Sequence, residues 1–191
     1  MATLYNTSTQ EGVDINDVFM LSSGTPEYPR PPFLPGSLAW GTDGSEWVYC
    51  TSSISIVPGS VLVVSAVPGS WSVALIGGAT VAAASAPVGQ LVAVSGGGTG
   101  SVTVPAPASP QTANFFWAQR AGNAPNVRTA ATTTKNSPLS SSATAAGVVS
   151  AVAGGVGTTY AINGMVITQA AGSTAGPNTA VLNFPVVGAS A

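Results

Sequence analysis

The side chains that could support acid–base or metal chemistry are few and lie near the N-terminus. The chain has 191 residues and no histidine, and every carboxylate side chain precedes Trp47 (Glu11, Asp14, Asp17, Glu27, Asp43 and Glu46). Catalysis at neutral pH usually relies on a side chain that titrates near the working pH, most often histidine. Asp14 with Asp17 is better explained as solvating an extended segment, and Asp43 with Glu46 as flanking a β-turn. The sequence therefore predicts no catalytic site, no metal site and no enzymatic activity.

Two further features resemble chemical sites but have simpler explanations. Cys50 is the single cysteine, so no intrachain disulfide is possible. Its apolar neighbours favour a small buried side chain over a nucleophile. The glycine-rich run at residues 96–100 is followed by no lysine, so it predicts a hairpin loop and not a phosphate-binding loop. We expect no cofactor.

Phe115, Phe116 and Trp117 form an aromatic run with Arg120 three residues beyond it. One interpretation is a core strand with one residue on its outer face. The other is a contact with another protein, because aromatic residues and arginine are enriched where protein interfaces gain most affinity. The sequence does not separate these two interpretations, and Trp117 and Arg120 are candidate contact residues.

The composition excludes several classes of partner. Only 5% of the residues are charged, the net charge is -2, and the chain contains four Lys and Arg residues in total. So few cations cannot neutralise a run of phosphates or bind an anionic membrane surface, so we expect neither nucleic acid nor membrane as a partner. With 45% hydrophobic residues, the chain is expected to fold. The N-terminus lacks a basic stretch followed by an apolar one, which predicts synthesis in the cytoplasm without a secretory signal.

The elements that would position these residues fall into two parts. Residues 1–39 contain a proline-rich stretch at 26–36, which predicts an extended N-terminal arm. Residues 40–191 carry short apolar runs separated by Gly, Pro and Asn, which predicts an all-β body, a compact barrel or sandwich of short antiparallel strands. The turn signals at 57–59, 67–69 and 162–164 predict hairpins. The predicted strands lie near Glu46–Thr51, Val61–Ala66, Ser72–Ile76, Gln90–Ser95, Ser101–Val104, Phe115–Gln119, Ala161–Gln169 and Thr179–Phe184.

Some segments admit two structures. Residues 13–20 fit either a short strand or one helical turn, because periodicity does not separate the two. Residues 80–85 and 143–153 could be helical, although glycines and paired valines favour strand in the second segment. Residues 129–142 are predicted to form an exposed loop.

Several motifs together resemble a known family. They are Pro32-Phe33-Leu34-Pro35-Gly36, the stretch Gly41 to Tyr49, Phe116 to Gly122, Ile162 to Thr168, and Ala180 to Gly188. This order resembles the head decoration (capsid cement) proteins of tailed bacteriophages over residues 32–188. The resemblance implies a compact β-barrel that lies on the outer capsid lattice and has no active site.

The resemblance also implies partners and a location. We expect the chain to bind the major capsid protein, to bridge and stabilise its subunits, and to reside on the outer surface of the virion after synthesis in the host cytoplasm. Closed symmetric contacts suit a lattice, so a homo-oligomer is expected, with a trimer favoured. The arm would contribute apolar anchors and acidic side chains that complement basic coat residues. The candidate contact residues are thus Phe33, Leu34, Trp40, Asp14, Asp17, Trp117 and Arg120. The alternatives are a secreted or surface β-sandwich, either an adhesin or a carbohydrate-binding module, and a phage tail or fibre component.

Overall fold

The fold of the described residues is all-β. The computed structural model describes residues 4–5, 12–20, 31–67, 70–77, 89–96, 103–108, 113–142, 145–151 and 159–190. Within these ranges there is no helix, and so none that is long and apolar enough to cross a membrane. The strands are β1 Leu4–Tyr5, β2 Gly12–Val13, β3 Val18–Met20, β4 Leu38–Gly41, β5 Glu46–Ser52, β6 Val61–Val67, β7 Ser70–Leu75, β8 Leu91–Ser95, β9 Asn114–Thr129, β10 Leu139–Ser141, β11 Val149–Ala151, β12 Tyr160–Ile167 and β13 Gly176–Ser190.

The strands form one mixed sheet that closes on itself through β9. The order is β2-β1-β4-β5-β7-β6-β8-β13-β12-β10-β11-β9-β3, and β9 additionally pairs with β5, β8 and β13. One ring therefore runs β5-β7-β6-β8-β9, and a second runs β9-β13-β12-β10-β11. A single strand can serve both rings because β9 has 16 residues, of which the first part pairs with β5 and the last part with β13.

Both faces of β5, β6 and β8 are buried, which explains why their sequences are almost continuously apolar. On β6, Leu62 and Val64 face one buried cluster, whereas Val61 and Val63 face another. On β5, Val48 and Cys50 join the first of these clusters, and Trp47 and Tyr49 join a third, aromatic cluster. Alternate side chains of a strand point to opposite faces, so each strand contributes to two cores at once.

The N-terminal strands β3 and β4 pair with strands of the first ring. Strand β4 pairs antiparallel with β5, Leu38 opposite Val48, and β3 pairs antiparallel with β9, Val18 opposite Phe116. The expected boundary between arm and body, between residues 39 and 40, falls inside β4. For residues 13–20 the strand alternative is correct at β3, with a turn at residues 15–16 before it.

Most predicted strands are present, but several connections differ from the prediction. The turn signal at 67–69 lies between β6 and β7, which form the expected hairpin. The signal at 162–164 does not produce a hairpin, because Asn163 and Gly164 lie inside β12. The turn at 57–59 precedes β6, which pairs with β7 and β8 and not with β5. Two pairings, β5 with β7 and β11 with β9, are parallel, and β9 and β13 are far longer than the short strands expected.

The structure decides between the remaining alternatives for the residues that it describes. The predicted strand 101–104 is reduced to an isolated bridge between Val104 and Ile56, with residues 101–102 outside the described ranges. The expected loop 129–142 contains two turns and then β10. Residues 145–151 form a turn and β11, so the strand alternative is correct there. Residues 80–85 lie outside the described residues, as do 97–100 of the expected glycine-rich loop.

Candidate protein-contact surface

One part of the surface combines aromatic, cationic and acidic side chains from four strands. Trp40 on β4 lies directly opposite Glu46 on β5, so the two side chains share a face. Arg120 on β9 contacts Glu46, and Phe184 on β13 lies beneath the Arg120 guanidinium. We refer to these four residues, Trp40, Glu46, Arg120 and Phe184, as the Arg120 surface.

The position of Ala121 explains how residues so distant in sequence meet. Ala121 is paired with Glu46 of β5 on one side and with Asn183 of β13 on the other. The neighbouring Arg120 and Phe184 therefore lie on adjacent strands. The arrangement depends on the length of β9, because its first part pairs with β5, its last part pairs with β13, and the two pairings meet at Ala121.

The ion pair between Arg120 and Glu46 is the electrostatic centre of this surface. Nε of Arg120 donates a hydrogen bond of 2.6 Å to Oε1 of Glu46, and a second guanidinium nitrogen, Nη2, contacts the same oxygen. The side chains are 20% and 11% exposed, respectively. A carboxylate this poorly hydrated depends on its partner, because an unpaired buried charge costs several kcal/mol, of order 3–5. The charges of Arg120 and Glu46 thus compensate each other.

Both aromatic rings remain accessible on either side of the pair. Trp40 is 41% exposed and Phe184 is 47% exposed. The guanidinium carbon of Arg120 lies 5.2 Å from the centroid of the Phe184 ring, within the range of a cation–π contact. The arginine is thus fixed by a carboxylate on one side and a ring on the other.

A bulge in β13 places Phe184 outward. Asn163 pairs with Val186 and Met165 with Leu182, so residues 183–185 of β13 stand opposite the single residue Gly164. Phe184 has a positive φ of 46°, which is rare for a bulky residue. A Cβ on Gly164 would lie 2.6 Å from the carbonyl oxygen of Asn183. The Asn163-Gly164 pair, which predicts a turn, instead permits the two backbones to approach at the bulge.

The predicted contact residues differ in how far they are exposed. Leu34 is 78% exposed, and Trp40 belongs to the Arg120 surface. Phe33 instead packs edge-on against Tyr49 and Trp117, with ring centroids 5.5 and 5.1 Å apart. Trp117 is only 2% exposed. For Trp117 the core interpretation is correct, and its side chain is not available to another protein.

Asp14 and Asp17 are exposed, as expected for contact residues, and they belong to one turn. Oδ1 of Asp14 accepts a hydrogen bond of 2.9 Å from the Asn16 amide, and the Asp17 amide donates to the Asp14 carbonyl at 3.2 Å. The residue between them, Ile15, is buried in the aromatic cluster. Within the described residues no group of three or more His, Cys, Asp or Glu side chains could hold a metal ion. The two carboxylates are thus held at the surface by an anchored turn.

The other titratable groups with shifted pKa values offer no acid or base near neutral pH. Burial raises the pKa of the Cys50 thiol well above its usual range, against a smaller opposing effect of Arg120. Burial, and secondarily the charge of Asp17, raises the pKa of Tyr49. Hydrogen bonds from Ser45 lower the pKa of Asp43, the side-chain bond having the largest effect. The thiol and the phenol therefore stay protonated at neutral pH, and the Asp43 carboxyl stays ionised.

A small pocket of about 200 Å³ lies between the end of β12 and the start of β13. None of its lining residues is titratable: Thr129, Gln169, Ala170, Ala171, Gly172, Thr174, Gly176, Pro177 and Asn178. In one orientation the Asn178 side-chain amide donates to the Gln169 carbonyl and accepts from the Ala171 amide, both at 3.1 Å. The pocket is thus lined by hydrogen-bonding groups without an acid or a base.

Comparison with known proteins adds no assignment. No protein-family model and no curated protein matches this chain. The resemblance to phage decoration proteins therefore stays a prediction from the residues.

Sequence reasoning found half of the Arg120 surface. Trp40 and Arg120 were predicted as separate contacts on the basis of residue type, and the structure brings them together through Glu46. The prediction of Glu46 as the first residue of a strand beside a turn is correct at β5, but Glu46 is not among the predicted contact residues. Phe184 was missed because its outward position depends on the bulge. The Asn163-Gly164 pair signals an irregularity there, but not which residue of the partner strand is exposed by it.

Proposed function

We propose that this chain is a structural virion protein that binds the outer surface of a tailed-phage capsid and stabilises it by bridging major capsid protein subunits. The observation that carries the proposal is the Arg120 surface, in which two accessible aromatic rings flank an arginine already paired with Glu46. Aromatic and arginine side chains contribute most of the affinity in many protein interfaces. Because the charges are paired within the chain, a partner can cover this surface without leaving a lone ion buried.

The rest of the described surface favours binding to proteins over binding to charged polymers. Further apolar side chains are exposed, among them Leu34, Val166 and Val181. Val166 and Val181 are directly paired across β12 and β13, so they form a second apolar spot. A surface with few charges can pack closely against many copies of a coat protein, since little charge has to be desolvated.

The acidic turn has a different role in this proposal. Asp14 and Asp17 are exposed, and exposed charge pairs contribute only about 0–1 kcal/mol each to affinity. Such charges act mainly on the rate and orientation of docking. Asp14 and Asp17 would therefore steer the chain towards basic coat residues, while Leu34 and the Arg120 surface provide the affinity.

The direct test compares virions that carry the protein with virions that lack it. Both are heated while DNA release is followed, and the protein should raise the temperature of release. Identical release curves, or a protein that does not co-purify with heads, would refute the capsid assignment. Binding to host cells or to glycans in its place would support the adhesin or carbohydrate-binding alternative.

A second test uses purified heads and substitutions on the surface. Trp40→Ala combined with Phe184→Ala should weaken binding by about 30-fold or more, because interface hot spots contribute at least about 2 kcal/mol. Val67→Ala is the matched control, since Val67 is an exposed apolar residue outside the Arg120 surface. Equal binding by the control and the double variant would exclude the Arg120 surface as the contact.

A further inference from the structure

Phe184 has a backbone conformation that its residue type does not favour. Its φ of 46° lies in the left-handed region, which is unfavourable for a residue with a Cβ but not for glycine. The other non-glycine residues with positive φ among the described residues are Thr132 and Asn136, and both lie in turns. Phe184 lies instead inside β13 and precedes Pro185, a position that favours negative φ. The backbone at Phe184 is therefore strained.

The bulge in β13 does not require a phenylalanine at this position. Glycine is the ordinary residue where a bulge needs a positive φ. The two strands can approach each other because Gly164 has no Cβ, which would lie 2.6 Å from the Asn183 carbonyl oxygen. Pro185, directly after Phe184, has a φ that is fixed by its ring. We therefore expect the bulge to form in a Phe184→Gly variant, but without the strain.

Burial of the ring does not account for the strain either. Phe184 is 47% exposed, so about half of its surface stays in water, and apolar side chains stabilise a fold by leaving water. The ring contacts the Arg120 guanidinium, whose carbon lies 5.2 Å from the ring centroid, and such contacts are modest at exposed sites. Strained residues of this kind cluster at functional sites.

The ring of Phe184 fixes the Arg120 guanidinium from a second side. Nε and Nη2 of Arg120 contact Oε1 of Glu46, and the ring lies beneath the guanidinium. Among the described residues no hydrogen bond or ion pair uses Nη1, which carries two donor hydrogens. An arginine that is already held in one orientation loses less conformational freedom when a partner binds. The guanidinium is thus oriented to donate to an oxygen outside the chain.

We propose that Phe184 is a positioning residue, whose backbone is held in an unfavourable conformation so that its ring fixes Arg120. Nη1 of Arg120 then donates to an acceptor oxygen of the partner. The chain loses stability at residue 184 and gains affinity at the Arg120 surface. The role in binding rests on the proposed function, whereas the strain and the positioning are properties of the free protein.

Glycine and alanine substitutions at two residues of β13 test the strain. At residue 184 both remove the ring, but only glycine tolerates positive φ, so Phe184→Gly should unfold roughly 2–8 °C above Phe184→Ala. Val181 is the matched control, because it is 45% exposed on the same strand and its φ is not positive. There the order should reverse, since glycine weakens a strand interior. Unfolding of Phe184→Gly at or below the midpoint of Phe184→Ala would overturn the proposal.

The Nε hydrogen of Arg120 reports on positioning in the free protein. Its NMR signal is assigned by its loss in Arg120→Met, and its rate of exchange with water is measured. Exchange requires the guanidinium to leave Glu46, so Phe184→Ala should exchange about 2–5-fold faster than the wild type. Phe184→Tyr keeps the ring and should keep the wild-type rate, whereas Phe184→Leu keeps apolar bulk alone and should behave as Phe184→Ala. An unchanged rate in Phe184→Ala or Phe184→Leu would overturn the positioning role.

Binding to purified heads separates this inference from the proposed function. At a temperature where both are folded, Phe184→Gly should bind at least about 2-fold more weakly than the wild type, because Arg120 has to be ordered on binding. Phe184→Tyr should bind as the wild type does. Wild-type affinity in Phe184→Gly would overturn the inference and leave the capsid assignment standing. If the wild type does not bind heads, the capsid assignment fails, and the unfolding and exchange measurements still decide whether Phe184 positions Arg120.

Discussion

Removing the Arg120 side-chain charge tests whether the fold depends on the ion pair. We consider Arg120→Met, which keeps much of the aliphatic length but leaves the Glu46 carboxylate, 11% exposed, without its partner. Breaking a buried pair costs about 3–5 kcal/mol, whereas an exposed pair contributes about 0–1 kcal/mol. The 20% exposure of Arg120 places the pair between these limits and nearer the buried one. We therefore expect a loss of about 2–3 kcal/mol in the free energy of unfolding.

The assay is urea unfolding followed by tryptophan fluorescence, with thermal unfolding as a second measure. For a chain of this length the expected loss corresponds to a fall of roughly 4–12 °C in the unfolding midpoint. Glu46→Leu is combined with Arg120→Met in a double-mutant cycle. Because replacing both charges by apolar groups is often close to neutral, the double variant should be more stable than Arg120→Met alone. A loss below about 0.5 kcal/mol for Arg120→Met, or additive effects in the cycle, would refute the reasoning.

Three other predictions concern the buried groups and the turns. Tyr49→Phe should leave stability at pH 7 unchanged or raise it by up to about 1 kcal/mol, since the phenol oxygen is buried without a partner. The pKa of Tyr49 is raised in the folded protein. The free energy of unfolding that this shift adds is therefore constant below the ordinary pKa near 10 and falls as the pH rises above 10, where the phenol ionises in the unfolded chain. Tyr49→Phe should thus flatten the alkaline loss of stability, and an unchanged pH profile would contradict this. Cys50, buried and with a raised pKa, should react with a thiol reagent only as fast as the protein unfolds, and rapid labelling of the folded protein would contradict its placement. Gly59→Ala should be far more destabilising than Gly44→Ala, because both have positive φ but a Cβ at residue 59 would lie 1.7 Å from the Asn126 carbonyl oxygen, while residue 44 faces open space. Gly44→Ala should cost about 1–2 kcal/mol from φ alone, and equal losses measured by urea unfolding would refute the close approach.

The strands of the body could be predicted because local apolar runs reflect burial. The runs at 46–51, 61–66 and 90–95 are continuous because both faces of β5, β6 and β8 are covered. Their short length and the Gly, Pro and Asn residues between them separate them from helices. The order of these strands in the sheet could not be predicted from the same runs. The partners of β9 depend on packing between segments that are distant in sequence. The 16-residue length of β9 was hidden because Gly122 and Pro125 interrupt its apolar pattern.

The candidate site was predictable only in its residue types. Trp117 and Trp40 are both tryptophans near apolar strands, yet one is 2% and the other 41% exposed. The difference arises because Phe33 and Tyr49 close over the Trp117 face of β9, whereas Trp40 lies on the opposite face of β4 from the buried Ala39. A single sequence gives no measure of which face a distant segment will cover. The position of Phe184 depends in the same way on a bulge formed between two strands.

The arrangement of cores explains why a contact surface can exist on this fold without weakening it. The clusters on both faces of β5, β6 and β8 hold the body together, so Trp40 and Phe184 are not needed to fill them. Both side chains lie on solvent-exposed parts of the sheet, that of Trp40 on the short strand β4 and that of Phe184 in the β13 bulge. Glu46 and Arg120 differ from them, since their pairing stabilises the fold and also compensates the charge of each by the other. Truncating the aromatic rings should therefore affect binding more than stability, whereas removing either charge should affect both.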